Sequence, residues 1–115
     1  MKTLILSCFF FLGCLTFQMN AQTQIELNDM AYNDYMKADK ELNVVYKQVM
    51  SVLGETEKVA LKNAQRKWIK MKESSCEKEL KEYEGGSMAP MIYHLCLEEK
   101  TKKRTKELRG MLRGR

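Results

Sequence analysis

QRKWIKMKESSCEKELKEYEGGSMAPMIYHLC, residues 65–96, is a helical pattern, a Gly-Gly-Ser break and a second helical pattern, with one cysteine on each side of the break. Cys76 stands ten residues before Gly86 and Cys96 ten residues after it. A chain that folds back at Gly85-Gly86 into two antiparallel helices brings residues equidistant from the turn level with each other. The two thiols are therefore level along the hairpin, and a disulfide between them requires only that both face inward.

Upstream of this hairpin the pattern from about Gln24 to Leu53 is also helical. Ala31, Tyr35, Met36, Ala38, Leu42, Val45, Val49 and Val52 recur at spacings of three and four and form one apolar stripe. Asp34, Lys37, Lys40, Glu41 and Lys47 occupy the other face, an ordinary solvated surface. Gly54 is a natural terminator for this helix. The second helix is expected to begin near Thr56 as N-cap, with Glu57 in its first turn. Leu61, Ala64, Trp68, Met71, Leu80 and Tyr83 supply its predicted inward face, with Ser75 and Cys76 filling the gap. After the glycine pair, Ser87 is the expected cap of a third helix, and Pro90 falls in a first turn where a missing amide hydrogen costs nothing. Ile92, Leu95, Cys96, Leu108, Met111 and Leu112 continue an apolar stripe there. No stretch reads as a strand, so the expected fold is all-α: a small three-helix bundle with a disulfide-stapled helical hairpin.

The beginning of the sequence, MKTLILSCFFFLGCLTFQMNA, reads as a secretory signal peptide, residues 1–21. Lys2 precedes an apolar run from Leu4 to about Phe17, which is short for a membrane span and has no stop-transfer pattern after it. A competing reading is lipoprotein processing at Cys14, because Phe11-Leu12-Gly13-Cys14 resembles a lipobox. Removing 21 residues from 115 leaves a domain of 94 residues, 22–115, enough for one modest core. Of the four cysteines only Cys76 and Cys96 remain in it. Two cysteines in an exported chain favour a structural disulfide over a redox or metal site. The expected location is periplasmic or secreted.

The pieces Glu26-Leu27-Asn28, Ala31, Tyr35, Ala38-Asp39, Leu42-Asn43 and Tyr46 are followed by Leu61, Ala64-Gln65-Arg66, Trp68-Ile69 and Cys76. The block Tyr83-Glu84-Gly85-Gly86-Ser87-Met88-Ala89-Pro90 comes next, then Ile92-Tyr93, Cys96, Thr101, Arg104 and Glu107-Leu108. With these residues the sequence resembles the LprI-type lysozyme inhibitors, and EGGSMAP followed by IY and C is the specific part of the match. The resemblance spans nearly all of 22–115. It implies an exported, non-enzymatic helical protein and, for some members, lysozyme inhibition. Members of that family often carry a cysteine where Met30 stands here and another upstream. Their joint absence implies that one disulfide has been lost as a unit and that Cys76 and Cys96 bond to each other.

Asp39, Asn43, Gln65, Arg66, Thr101 and Arg104 coincide with polar positions of the family pattern. They are expected as a buried or half-buried hydrogen-bond network that sets helix register, with Arg104 gripping Asp39 as a charge-assisted fork; a ligand site is the alternative. Trp68 reads as core before contact surface. The best functional candidate is the turn from Tyr83 to Pro90, with Tyr83, Glu84, Gly85, Gly86, Ser87 and Met88 as partner-binding residues. A lysozyme cleft holds a protonated glutamic acid and an aspartate. Ser87 and nearby amides are placed to hydrogen-bond such carboxyls while Met88 and Tyr83 pack against the rim. The plain reading of the same residues is a helix connection with the chemistry its geometry demands.

Net charge is +5 for the whole chain. Animal lysozymes are strongly basic, so overall charge does not steer this protein towards them. Glu77, Glu79, Glu82 and Glu84 nevertheless make a local acidic patch beside the turn. Lys100–Arg115 carries eight cations against one acid, Glu107. This basic tail reads as a solvated, frayed terminus, or alternatively as a contact for anionic membrane or cell-wall polymers that would make the chain a structural envelope protein. Met88, Met91 and His94 raise a third reading, a Cu(I)-handling module, since thioether ligands suit that ion. His94 is the only histidine, and no phosphate loop, dinucleotide turn or nucleic-acid motif is present. No enzyme, resident cofactor or metal is expected.

Overall fold

In the computed structural model the backbone is described for residues 2–115 and the side chains for residues 23–115. The expected signal peptide, 1–21, and Cys14 lie outside the residues whose side chains are described. Three helices follow one another: α1 (Lys2–Val52), α2 (Glu55–Leu80) and α3 (Ala89–Arg113), with a short 3-10 turn at Lys81–Tyr83. The described residues contain no strand.

Reversal between α1 and α2 takes only Leu53 and Gly54. Gly54, not Thr56, is the N-cap of α2: its extended backbone (φ −73°, ψ 169°) leaves its carbonyl to accept the Lys58 amide at 2.9 Å. Glu55 and Glu57 sit in the first turn, where carboxylates meet the positive end of the helix dipole. With acids there, the helix starts without a side-chain cap. α3 likewise begins without one. Met88 occupies the cap position that Ser87 was expected to fill, and Pro90 lies in the first turn, as its missing donor allows.

α2 runs back along α1, and α3 returns parallel to α1, beside which it packs most extensively. Buried Ala31 and Ala38 supply small side chains on this face of α1. The apolar core is split in two. Near the Gly54 end, Leu42, Val45 and Val49 of α1 meet Leu61 of α2 and Leu108 of α3. Around the staple, Cys76, Cys96 and Leu97 are packed by Tyr35 and Tyr93. Between the two clusters lies a layer of buried polar residues: Gln65, Lys72, Thr101 and Thr105.

That layer explains where the expected stripes were out of phase. On α2 the buried positions are Leu61, Gln65, Lys72 and Cys76. Ala64, Met71 and Tyr83, expected inside, are exposed, Met71 by 67%. On α3 Leu97, Thr101 and Thr105 are buried whereas Leu95 and Met111 are exposed; on α1 Met36 and Val52 are exposed. On α2 apolar character misplaces Ala64 and Met71 because Gln65 and Lys72 bury their stems and keep their heads engaged with Arg104 and Tyr35. The basic tail is also not frayed. It is the second half of α3, with Thr105 and Leu108 buried, Arg109 paired to Glu41 and Arg115 to Glu57.

Candidate functional site

Tyr83–Gly86 forms the tip of the α2–α3 hairpin. The Gly86 amide donates to the Tyr83 carbonyl at 3.1 Å. Glu84 (φ −55°, ψ 132°) and Gly85 (φ +78°) take the two central positions, which is a type II turn. Gly85 is required by its left-handed φ. At Gly86 a Cβ would stand 3.3 Å from the Tyr83 carbonyl oxygen, a tight approach that glycine avoids. The Ala89 amide then donates to the Gly86 carbonyl at 3.3 Å and α3 begins.

α1 reaches this turn from the side. Asn28 donates its side-chain amide to the Ser87 carbonyl at 3.1 Å and accepts from Gln24 at 2.9 Å. Gln24 also contacts the Met91 sulfur at 3.9 Å. The tip is thus tied to α1 at one end. At the other end of the same hairpin segment the Cys76–Cys96 disulfide, with Cα atoms 5.7 Å apart, joins α2 to α3. Between these ties residues 81–88 are exposed. Glu82, Tyr83, Glu84, Gly86, Ser87 and Met88 line a shallow hollow of about 320 Å³, with Tyr83 38% and Met88 42% exposed.

The electrostatics around the tip are acidic on the α2 side, where Glu77, Glu79, Glu82 and Glu84 are all exposed. Tyr93 registers that environment. Its phenol is held above the ordinary tyrosine range, first by burial and then by the charges of Glu77 and Glu73. His94 lies among rings, with centroids 5.2 Å from Tyr32, 6.1 Å from Tyr35 and 5.5 Å from Tyr93. Its Nδ1–H donates to the Pro90 carbonyl at 2.8 Å. Met88 is exposed at the tip and Cys96 is taken by the disulfide. Among the described residues no group of three or more His, Cys, Asp and Glu side chains is placed to hold a metal ion.

The six expected network residues divide into separate groups. Arg104 donates from Nε to the buried Gln65 at 3.0 Å and from its terminal nitrogen to Glu107 at 3.0 Å. The fork expected between Arg104 and Asp39 is therefore not formed. Asp39 instead accepts from Asn43 one turn away, at 3.5 Å on the surface of α1. Thr101 is fully buried; its carbonyl accepts from the Thr105 hydroxyl at 3.0 Å, while its own hydroxyl has no partner among the described residues. Arg66 is exposed. The contact that does cross helices in the polar layer, Gln65 to Arg104, is joined by one that sequence reasoning missed. Lys72 donates from Nζ to the Tyr35 hydroxyl at 3.1 Å, tying α2 to α1. Gln24 was also missed, and Asn28, part of the family pattern, was not read as a tie to the tip, because nothing in α1 alone says which of its turns meets the hairpin tip.

Comparison with known proteins follows the same outline. A family model described as Lysozyme inhibitor LprI matches residues 14–108. An uncharacterized protein of Rhizobium meliloti (strain 1021) is 38% identical over 122 residues, covering 86% of this chain and 88% of the relative. No solved structure matches.

Proposed function

The chain belongs to the lysozyme inhibitor LprI family, and from that premise we propose that it is an exported binding protein that inhibits lysozyme-type muramidases through its Tyr83–Pro90 tip. The family is one of inhibitors, not enzymes. The observation that carries the reading is the construction of the tip. It is a type II turn fixed by Gly85, tied to α1 by Asn28 and backed by a disulfide, and residues 82–88 are all exposed on it. A pre-ordered projection of this kind binds without the ordering cost of a mobile loop. Ser87 supplies a small hydroxyl for the paired carboxyls of a muramidase cleft, flanked by Tyr83 and Met88 as apolar contacts. The neighbouring glutamates provide local complementarity to a basic enzyme.

The test is an inhibition assay with the purified exported protein against a basic animal lysozyme and a bacterial muramidase. Dose-dependent inhibition is expected, and Ser87→Arg should abolish it while leaving the melting temperature unchanged, because Ser87 offers only its backbone carbonyl to the fold. Full inhibition by that variant would remove the tip from the mechanism.

A further inference from the structure

On the face of the bundle between α2 and α3 lies a groove of about 660 Å³, a volume suited to a small molecule. It is lined by the apolar side chains of Ala64, Trp68 and Met71 and by the cations Lys67 and Lys72 from α2 and Lys100, Lys103 and Arg104 from α3. Glu107 is the one acid among the lining residues, and it is already bonded to Arg104 at 3.0 Å. Among the described residues, Lys67, Lys72, Lys100 and Lys103 have no carboxylate partner.

Lys72 is the informative member. It is only 5% exposed, and buried ammonium groups are ordinarily paired with a carboxylate. Here Nζ lies 4.8 Å from the centre of the Trp68 ring and 5.3 Å from that of Tyr35, and it donates to the Tyr35 hydroxyl. Ring faces offset part of the cost of burying a cation. An ammonium has three donors, however, and only one is used. A cation held without its counter-charge at the inner wall of a groove whose rim is also cationic is a site for an anion.

We propose that the α2–α3 groove binds a compact oxyanion, phosphate or carboxylate groups carried on a small ring-bearing or short-chain ligand. Lys72 is the inner anchor, Lys67, Lys100 and Lys103 close over the charged groups, and Trp68 and Met71 receive the apolar part. The site is separate from the hairpin tip, and its cations line a concave space, which favours a small ligand over a flat anionic membrane.

Trp68 is the only tryptophan, so the fluorescence of the full chain reports directly on the groove. The protein is titrated with inorganic tripolyphosphate, with citrate and with phosphatidylglycerol vesicles. A saturable change with tripolyphosphate, citrate or both is expected, and the stronger of the two identifies the headgroup chemistry. The double variant Lys67→Glu/Lys103→Glu changes one exposed residue on each wall and should weaken binding roughly tenfold or more, as expected when two charge-assisted contacts are reversed. Lys37→Glu/Lys40→Glu, the same charge change on the exposed face of α1, should leave it within about twofold at moderate salt. No saturable response to either small anion overturns the proposal, as does equal weakening by the two double variants. A response to vesicles alone would replace it with a membrane-binding surface.

Discussion

Tyr93 sits between two environments, packed against the Cys76–Cys96 cluster on one side and facing Glu73 and Glu77 on the other. Both disfavour its phenolate, so its folded pKa lies above the unfolded value of about 10. The sign of the linkage follows. Below about pH 10 both states keep the proton and stability is level; above it the unfolded state loses the proton first, and stability falls until the folded pKa is passed. Denaturant midpoints measured from pH 8 to 11 should therefore bend downward above pH 10, and Tyr93→Phe should bend less than the parent. A variant curve that superimposes on the parent would show that Tyr93 ionises freely in the fold. At this scale the sequence is legible where backbone geometry is decisive. Gly85 and Gly86 read as a chain reversal, and the structure separates their reasons, a left-handed φ at Gly85 and a close carbonyl at Gly86. Tyr93 is legible only as part of a motif, because its surroundings come from glutamates on another helix.

The hairpin of α2 and α3 depends on its staple more than its length suggests, because the apolar core is interrupted by Gln65, Lys72, Thr101 and Thr105. That the two cysteines come level is readable from their spacing alone, since both are equidistant from Gly86 and a hairpin fixes which residues face each other across it. Which face of α2 turns inward is less readable. Spacing places Leu61, Trp68 and Cys76 correctly, but polarity favours Ala64 and Met71 over Gln65 and Lys72. The choice fails because Gln65 meets Arg104 and Lys72 meets Tyr35, partners that lie on other helices and are invisible to a one-helix pattern. The Arg104–Asp39 pairing fails for the same reason. Replacing both cysteines with serine should lower stability by about 3 kcal/mol for a bridge spanning 20 residues. In a two-state urea melt this appears as a lower midpoint, with the far-ultraviolet helical signal retained in buffer. A loss below about 1 kcal/mol would mean that the packing of Tyr35, Tyr93 and Leu97 holds the hairpin without the bridge.

Across the whole molecule charge is arranged by position more than by sum. The net charge is +5, yet the segment from Glu77 to Glu84 carries four carboxylates against two lysines, and the α2–α3 groove and the second half of α3 carry the excess of cations. From Ser87 to Lys100 is thirteen residues, roughly 20 Å along a helix at 1.5 Å per residue, which exceeds the Debye length of about 8 Å at physiological salt. A partner at the tip is then influenced chiefly by the glutamates, and the distant cations are screened. This gives the tip-binding reading a test whose sign is decided in advance. If net charge governed the encounter, this protein and a basic lysozyme would repel, and added salt would speed association. If the acidic tip governs, they attract locally and added salt slows it. Association rates measured in stopped flow from about 20 to about 300 mM salt should therefore fall. Glu82→Lys/Glu84→Lys should reverse the trend while leaving the melting temperature nearly unchanged, since both side chains are exposed and form no ion pair among the described residues. Rates that rise with salt for the parent would place the contact away from the tip, on a surface where the cations dominate.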